Sequence, residues 1–292
     1  MGTDYRAGRQ GSGQIGSGQQ GSGAFDLTGK VAVVTGGSGA LGRAVATGLV
    51  AAGARVAVLS RTMSAVEQVA KDLAGDGEPA AMAVAADVTS EPDVQAARDA
   101  VLEQWGRLDI LVNGAGGNQP AGTVPPGGTF FDVEMEGFRR VLDINLMGTV
   151  LPSSVMGRAM STDEGGAIVN VSSMTASWPM TRVAAYAAAK AGVDNFTRWL
   201  ADHMARSVSP AIRVNAIAPG FFIGDQNRSL LTNPDGSLTE RGQTVVSRTP
   251  MGRLGVPEDL VGAVVFLCSP ASAFVTGAVL PVDGGFSAGA GI

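Results

Sequence analysis

From Phe25 onward, short apolar runs rich in β-branched residues alternate with longer stretches of helical period, and this alternation narrows the possible folds more than any other feature. The runs are KVAVVT (30–35), ARVAVLS (54–60), AMAVAADV (81–88), LDILVN (108–113), GAIVNVS (166–172), IRVNAIA (212–218) and AVLPVD (278–283). Helices are expected near 41–52, 63–74, 91–105, 134–160, 184–207 and 257–268. Strands apolar on both faces must be covered on both faces, and strands separated by helices are joined by right-handed crossovers into a parallel sheet. The expectation is an α/β chain: a single doubly wound Rossmann domain over 25–292, with a seven-stranded parallel sheet and helices on both faces. Two segments break the rhythm, GGNQPAGTVPPGGTFF (116–131) and the stretch 219–256. Both follow strand carboxyl ends, where open α/β sheets bind ligands, so they are expected to shape a substrate site.

Hydrophobic residues make up 45% of the 292, enough for a packed core, whereas residues 1–24 repeat Gly, Ser and Gln and are expected to form a disordered tail. The formal charge of −5 and the lack of any Lys/Arg block argue against nucleic acid or a membrane surface as partner. No apolar run is long enough to span a bilayer, and the first residues have no signal-like apolar core. The lone cysteine, Cys268, cannot close an internal disulfide and reads as part of a buried helix in a reducing compartment. A soluble, cytoplasmic protein is expected. His203 is the single histidine and no Cys/His/Asp cluster has ligand spacing, so no metal is expected.

The segment VAVVTGGSGALG leads from the first strand into the first helix, and Gly37, Gly39 and Gly42 satisfy G-x-G-x-x-G. In that setting missing side chains let backbone N–H groups approach a pyrophosphate at the helix N-terminus, which points to a dinucleotide. At the end of the second strand, where a carboxylate would hold the ribose hydroxyls of NAD, the chain has Ser60 and Arg61. Serine can donate to a 2′-phosphate and arginine can meet it with a charged fork, so NADP(H) is expected over NAD(H), with NAD(H) also possible. Arg61 could equally be a solvated residue that ends a strand.

The helix segment VAAYAAAKAG places Tyr186 and Lys190 four residues apart, on one helix face, and the only other tyrosine, Tyr5, lies in the tail. With TGGSGALG (35–42), Asp87-Val88, NGAG (113–116), Asn145, Ser173, YAAAK (186–190) and PG (219–220) in this order, the chain resembles the short-chain dehydrogenase/reductase family over residues 25–292. It departs from that family's pattern at Ala40, where a glycine is usual, and at Gly114, where a second asparagine is common. Ser173, thirteen residues before Tyr186, matches the family spacing, which its neighbour Ser172 does not.

The resemblance implies hydride transfer between a nicotinamide cofactor and a ketone or secondary alcohol. A carbonyl that accepts hydride needs a proton, and a free phenol of pKa about 10 supplies it poorly near neutrality. An ammonium about 4 Å away at an effective dielectric near 20 interacts by roughly 4 kcal/mol, or about three pKa units. Tyr186 is thus expected to be the general acid in reduction and base in oxidation, with Lys190 lowering its pKa. The family implies that Lys190 also holds the nicotinamide ribose, that Ser173 orients the substrate oxygen, and that Asn145 positions a water for proton relay. It implies cofactor contacts from Gly36, Ser38, Gly39, Leu41, Gly42, Ser60, Arg61, Asp87, Val88, Asn113, Ala115, Gly116, Tyr186, Lys190, Pro219 and Gly220.

Asn118, Gln119, Gln226, Asn227 and Arg228 make the irregular segments amide-rich, which suits a hydroxyl-rich small-molecule substrate, and Arg182 or Arg228 could clamp a carboxylate; each could also be a solvated loop residue. NGAGGNQP, TFFD (129–132), APGFFIGDQNR (218–228), LTERG (238–242), TPMGRLG (249–255) and the ending VDGGFSAGAGI resemble the D-mannonate oxidoreductase, or fructuronate reductase, branch of the family. That implies a sugar acid as substrate. A reductase of 3-oxoacyl thioesters or other ketones is the alternative enzyme, and a non-catalytic NADP-binding sensor is the alternative of another class. The family is commonly tetrameric, so self-association as a homotetramer or homodimer is expected.

Overall fold

The computed structural model describes residues 23–74, 80–160, 164–178, 180–224 and 227–289. Seven strands run β1 (Val31–Thr35), β2 (Arg55–Ser60), β3 (Ala81–Ala85), β4 (Ile110–Asn113), β5 (Gly166–Val171), β6 (Ile212–Pro219) and β7 (Val279–Val282). Nine α-helices occur among the described residues: α1 (Ala40–Ala51), α2 (Met63–Leu73), α3 (Glu91–Trp105), α4 (Met135–Leu142), α5 (Gly148–Gly157), α6 (Ala184–His203), α7 (Arg228–Leu231), α8 (Glu240–Ser247) and α9 (Val261–Cys268). All strand pairs are parallel, and the order across the sheet is β3-β2-β1-β4-β5-β6-β7. The α/β fold class expected from the alternation is the one observed, and the single-domain doubly wound sheet carries all seven runs.

Strand periodicity explains why both faces fill. In β1, Ala32 and Val34 pack into a cluster with Val45 and Leu49 of α1, Val66 of α2 and Val264 of α9. Val31 and Val33 point the other way, into a cluster with Val94 of α3, Met156 of α5 and Leu200 of α6. A period of two residues sends successive side chains to opposite sides, so a strand apolar at every position requires two helical layers. Cys268 is buried at the end of α9, and burial pushes its thiol up to about 12.

Differences from the sequence reading concern boundaries and small elements. The helix expected over 134–160 is divided, because a π-helical segment, Asp143–Met147, separates α4 from α5 and contains Asn145. A second π segment, Met204–Val208, ends the helix expected over 184–207, and a 3-10 turn, Pro257–Leu260, precedes α9. The irregular stretch 219–256 contains two helices that periodicity did not reveal. The four residues of α7 are too short to show a period, and α8 starts from a Thr239 hydroxyl that accepts the Gly242 N–H. Leu231, Val245 and Leu254 give this stretch a small core of its own. Residues 1–22 of the expected tail lie outside the described residues. At its end the Ala24 carbonyl already accepts the Ala271 N–H at 2.8 Å.

The strand order reverses between β1 and β4, which opens a crevice above their carboxyl ends. At the opposite end, buried Asp109 accepts the Val31 N–H at 2.9 Å and two hydrogen bonds from Arg107, tying β1 to the entry of β4. Burial pushes the Asp109 carboxyl up, but the bonds from Arg107 and Val31 with the Lys30 charge outweigh it and hold it below the usual carboxylate range. A carboxyl lowered in the folded state stabilises above its unfolded pKa and loses that contribution as pH falls through the folded value. Asp109→Ala is expected to cost about 2–3 kcal/mol in urea unfolding at pH 7, with the deficit shrinking below about pH 4.

Candidate active site

The carboxyl ends of β1 and β4 meet closely. Thr35, the last residue of β1, is fully buried, and its hydroxyl accepts the N–H groups of Gly114 and Ala115, each at 3.1 Å. Gly36 follows with φ +69, and a Cβ there would lie 2.7 Å from the Gly114 carbonyl oxygen. Both its conformation and its surroundings therefore require glycine. A Cβ on Gly42 would lie 2.3 Å from the Gly36 carbonyl oxygen, so that glycine is needed for the turn itself. Gly39 differs: a Cβ there would meet nothing nearer than the Gly36 oxygen at 3.5 Å. The protein has no steric need of glycine at 39, but a ligand lying on the turn would. Gly39 is also the N-cap of α1 and supplies no side-chain cap, which leaves the first N–H groups of α1 without a side-chain acceptor.

Above this turn lies a cleft of about 510 Å³. The glycine turn lines it through Gly36, Ser38, Gly39, Leu41 and Gly42, and the end of β2 through Ser60 and Arg61. Val88, Ala115, Gly116, Pro219 and Gly220 complete the cofactor positions that the structure brings together there. The Ser60 hydroxyl is buried without a hydrogen-bond partner, and such a group is costly unless a ligand satisfies it. Together with the open Gly39 and the uncapped α1, it makes the residues present a fit for a dinucleotide.

Ser173, Tyr186 and Lys190 line the same cleft. Ser173 follows β5, whereas Tyr186 and Lys190 lie in the first two turns of α6. The Lys190 Nζ donates to the Val171 carbonyl at 2.7 Å and stands 5.6 Å from the centroid of the Tyr186 ring. Burial pushes the Tyr186 phenol up, and a hydrogen bond with Ser173 pulls in the other direction. Burial likewise pulls the Lys190 ammonium down to about 8, against the charge of Asp194. Taken by itself, the protein thus does not show the acidic phenol expected from the pair: desolvation dominates both groups, and the amine is hydrogen-bonded to a carbonyl.

Three other expected site residues have different surroundings. Asn113 is buried, and its amide donates to Ser153 and to Asn170, so it ties β4 to α5 and β5 and does not line the cleft. Asp87 turns its carboxylate to the Thr89 N–H and hydroxyl, while Ala86 and Val88 on either side face the cleft. The hydrogen bonds from Thr89 hold that carboxyl down, assisted by the Arg61 charge. Asn145 accepts the Gly117 N–H at 3.0 Å and donates to the carbonyls of Gly117 and Val141, so both amide hydrogens are used in holding the loop after β4. It still stands beside the site, since a Cβ on Gly116 would lie 2.6 Å from Asn145 Oδ1 and 3.5 Å from Lys190 Nζ.

The expected substrate wall is mostly not assembled at the cleft. Asn118 donates to Thr123 within its own loop, and neither Asn118 nor Arg228 lines the cleft. Asn227 does line it, but its amide is spent on the Gly224 N–H and the Phe222 carbonyl. Gln226 lies outside the described residues. Arg182 is also absent from the lining and has another task. It is the single non-glycine residue with positive φ among the described residues, at +75. Its Nε donates to the Val124 carbonyl at 2.7 Å and its own carbonyl accepts the Val124 N–H at 2.9 Å. These bonds offset a backbone cost of roughly 1–2 kcal/mol and clamp the loop 116–131 to the chain leading into Tyr186. The lining residues that sequence reasoning missed include Ile144, Ser172, Phe222 and Gly224. Apolar and glycine positions such as Ile144, Phe222 and Gly224 have no chemistry to mark them in a sequence, and the spacing of Ser172 to Tyr186 is not that of the family.

The family profile described as enoyl-(acyl carrier protein) reductase matches residues 36–287. The uncharacterized oxidoreductase UxuB of Bacillus subtilis (strain 168) is 45% identical over 276 residues, 91% of this chain and 98% of that protein. A solved structure from Haemophilus influenza with bound NAD, provisionally named a D-mannonate oxidoreductase, has a TM-score of 0.85 and 39% identity, covering 91% of this chain and 98% of that one. Another, from Beutenbergia cavernae with bound NADP at low occupancy, provisionally named an NAD(P)-dependent gluconate 5-dehydrogenase, has a TM-score of 0.79 and 37% identity over 91% of this chain and all of that one.

Gly39→Ala is expected to change stability by no more than about 1 kcal/mol while raising the dissociation constant for a nicotinamide dinucleotide at least tenfold. Gly42→Ala should instead lower the melting temperature, and differential scanning fluorimetry with and without dinucleotide separates the two.

Proposed function

The chain belongs to the short-chain dehydrogenase/reductase family and is an NAD(P)-dependent oxidoreductase; from that premise we propose that Ser173, Tyr186 and Lys190 are its catalytic set and that a sugar acid is its substrate. The observation that carries the catalytic assignment is that these three side chains line one cleft with the glycine turn. When bound, the nicotinamide cofactor supplies or accepts the hydride. Tyr186 gives a proton to the substrate oxygen in reduction and removes it in oxidation. Ser173, in hydrogen-bonding contact with Tyr186, orients that oxygen and stabilises the charge developing on it. Lys190 places a positive charge beneath the phenol, and Asn145 keeps the loop after β4 in place through Gly117.

NADP(H) is the cofactor favoured by this reading. Two similar structures carry NAD and NADP respectively, so the support comes from the chain itself. The unpartnered Ser60 hydroxyl and the exposed Arg61 stand together in the cleft at the end of β2. The sugar acid is supported by the names of the two solved relatives; the loop amides of Asn118 and Asn227, engaged within their own loops, do not contribute to that support. The domain is taken as residues 25–292, with self-association through its exposed surfaces. Phe274 beside β7 and Trp199 on α6, both exposed, are apolar surface of the kind that a second copy covers.

Tyr186→Phe should leave dinucleotide affinity unchanged and lower kcat by about 10²–10⁴-fold; retained turnover removes Tyr186 from the mechanism. The wild-type enzyme should show a lower KM for NADPH than for NADH, and Arg61→Ala should raise the NADPH value about tenfold while sparing NADH. A clear NADH preference in the wild type defeats the NADP(H) assignment. Following NADPH consumption with fructuronate, tagaturonate, 5-ketogluconate and an acetoacetyl thioester tests the substrate class. Turnover of the thioester alone selects the acyl reductase, and turnover of none leaves a sensor.

A further inference from the structure

Below Lys190 the helix continues its four-residue spacing with two more charged residues: Tyr186, Lys190, Asp194 and Arg198 succeed one another on one face of α6. Lys190 and Asp194 are 3% and 6% exposed, so a cation and an acid are buried one turn apart. The hydroxyl of Ser172, at the end of β5, donates to Asp194 Oδ1 and also reaches the Lys190 carbonyl at 3.4 Å. One residue earlier on the same strand, the Val171 carbonyl accepts the Lys190 ammonium. These contacts join the end of β5 to α6 directly behind Ser173 and Tyr186.

We propose that Asp194, pinned by Ser172, is a positioning residue that keeps Lys190 positively charged. This rests on the catalytic reading of Lys190 given above. An isolated ammonium so deeply buried loses its hydration and tends to shed its proton, and a nearby negative charge counters that alongside the hydrogen bond to the Val171 carbonyl. Asp194 is the one charged group that raises the Lys190 pKa, against burial. Burial raises the Asp194 carboxyl above the usual carboxylate range, and Ser172, Arg198 and Lys190 offset that rise only in part.

Among the described residues of the neighbouring elements, the other charged groups are exposed or paired elsewhere. The π segment contributes Asn145, whose amide is engaged with Gly117 and Val141, and Asp143, which is exposed to solvent. On α4, Arg139 and Arg140 pair with Glu136, and beyond α6 Arg206 pairs with Asp202. Arg213 of β6 is bonded to Leu267, Ser269 and Ser272. Ser172 thus has a role distinct from that of its neighbour: Ser173 faces the substrate, and Ser172 secures the carboxylate behind it.

The chain has three lysines, Lys30, Lys71 and Lys190, so a titration of full-length protein carrying ¹³C at lysine Cε resolves the site directly. Lys190 should titrate near 8 in the wild type. In Asp194→Asn, which retains an oxygen for the Ser172 hydroxyl, its midpoint should fall by about one pH unit or more while Lys30 and Lys71 stay in place. Asp194→Ser is a second neutral variant should the first fold poorly. An unmoved Lys190 midpoint in a folded neutral variant overturns the proposal whatever the activity does. If turnover needs the ammonium, kcat/KM falls as pH rises through its pKa, so the alkaline limb of the profile should move to lower pH with the midpoint. A lowered midpoint with an unmoved limb supports the role of Asp194 and places the failure in the catalytic assignment of Lys190.

Discussion

At the point where the sheet changes direction, the Thr35 hydroxyl receives two backbone N–H groups from the chain leaving β4, while Gly36 turns with positive φ against the same segment. This contact places the beginning of α1, the loop Gly114–Gly117 and the end of β5 around one crevice. Its tolerance is small because the approach is backbone to backbone, where no rotamer can yield. Asn145 extends the same seam by holding Gly117, and Gly116 fits between Asn145 and Lys190. The floor of the cleft and the position of Lys190 thus share a mechanical origin.

On that floor, electrostatics work against the cost of removing water. Tyr186 and Lys190 both resist ionisation in their buried setting, the phenol moving up and the ammonium down. A tyrosine beside a lysine is therefore not enough to make a proton donor tuned to neutrality. What counts is the sum of burial, the Ser173 hydrogen bond and the carboxylate one turn further along α6. Placing these groups on a helix and a strand end, with few rotatable bonds between them, keeps their separations fixed as substrates come and go.

The rim is built differently. Loop 116–131 is fastened by the strained Arg182 through Val124, and Phe222 and Gly224 are held by Asn227. Polar side chains that look available for substrate when read along the chain are occupied in maintaining loops. An amide or guanidinium in a Gly- and Pro-rich segment finds the nearest backbone partner before it finds a ligand.

The sequence by itself determined the doubly wound sheet, because strands apolar at every position admit no solvent-facing side, and it determined the glycine turn and the Tyr186–Lys190 pair through fixed local spacings. It did not show that Asn113 and Asn145 hold the scaffold or that Ser172 engages Asp194, since each depends on a partner from a different element. Burial decided the rest. Whether a carboxylate or an amine keeps its charge depends on the water and the neighbours around it, and both are fixed only when the chain has closed over them.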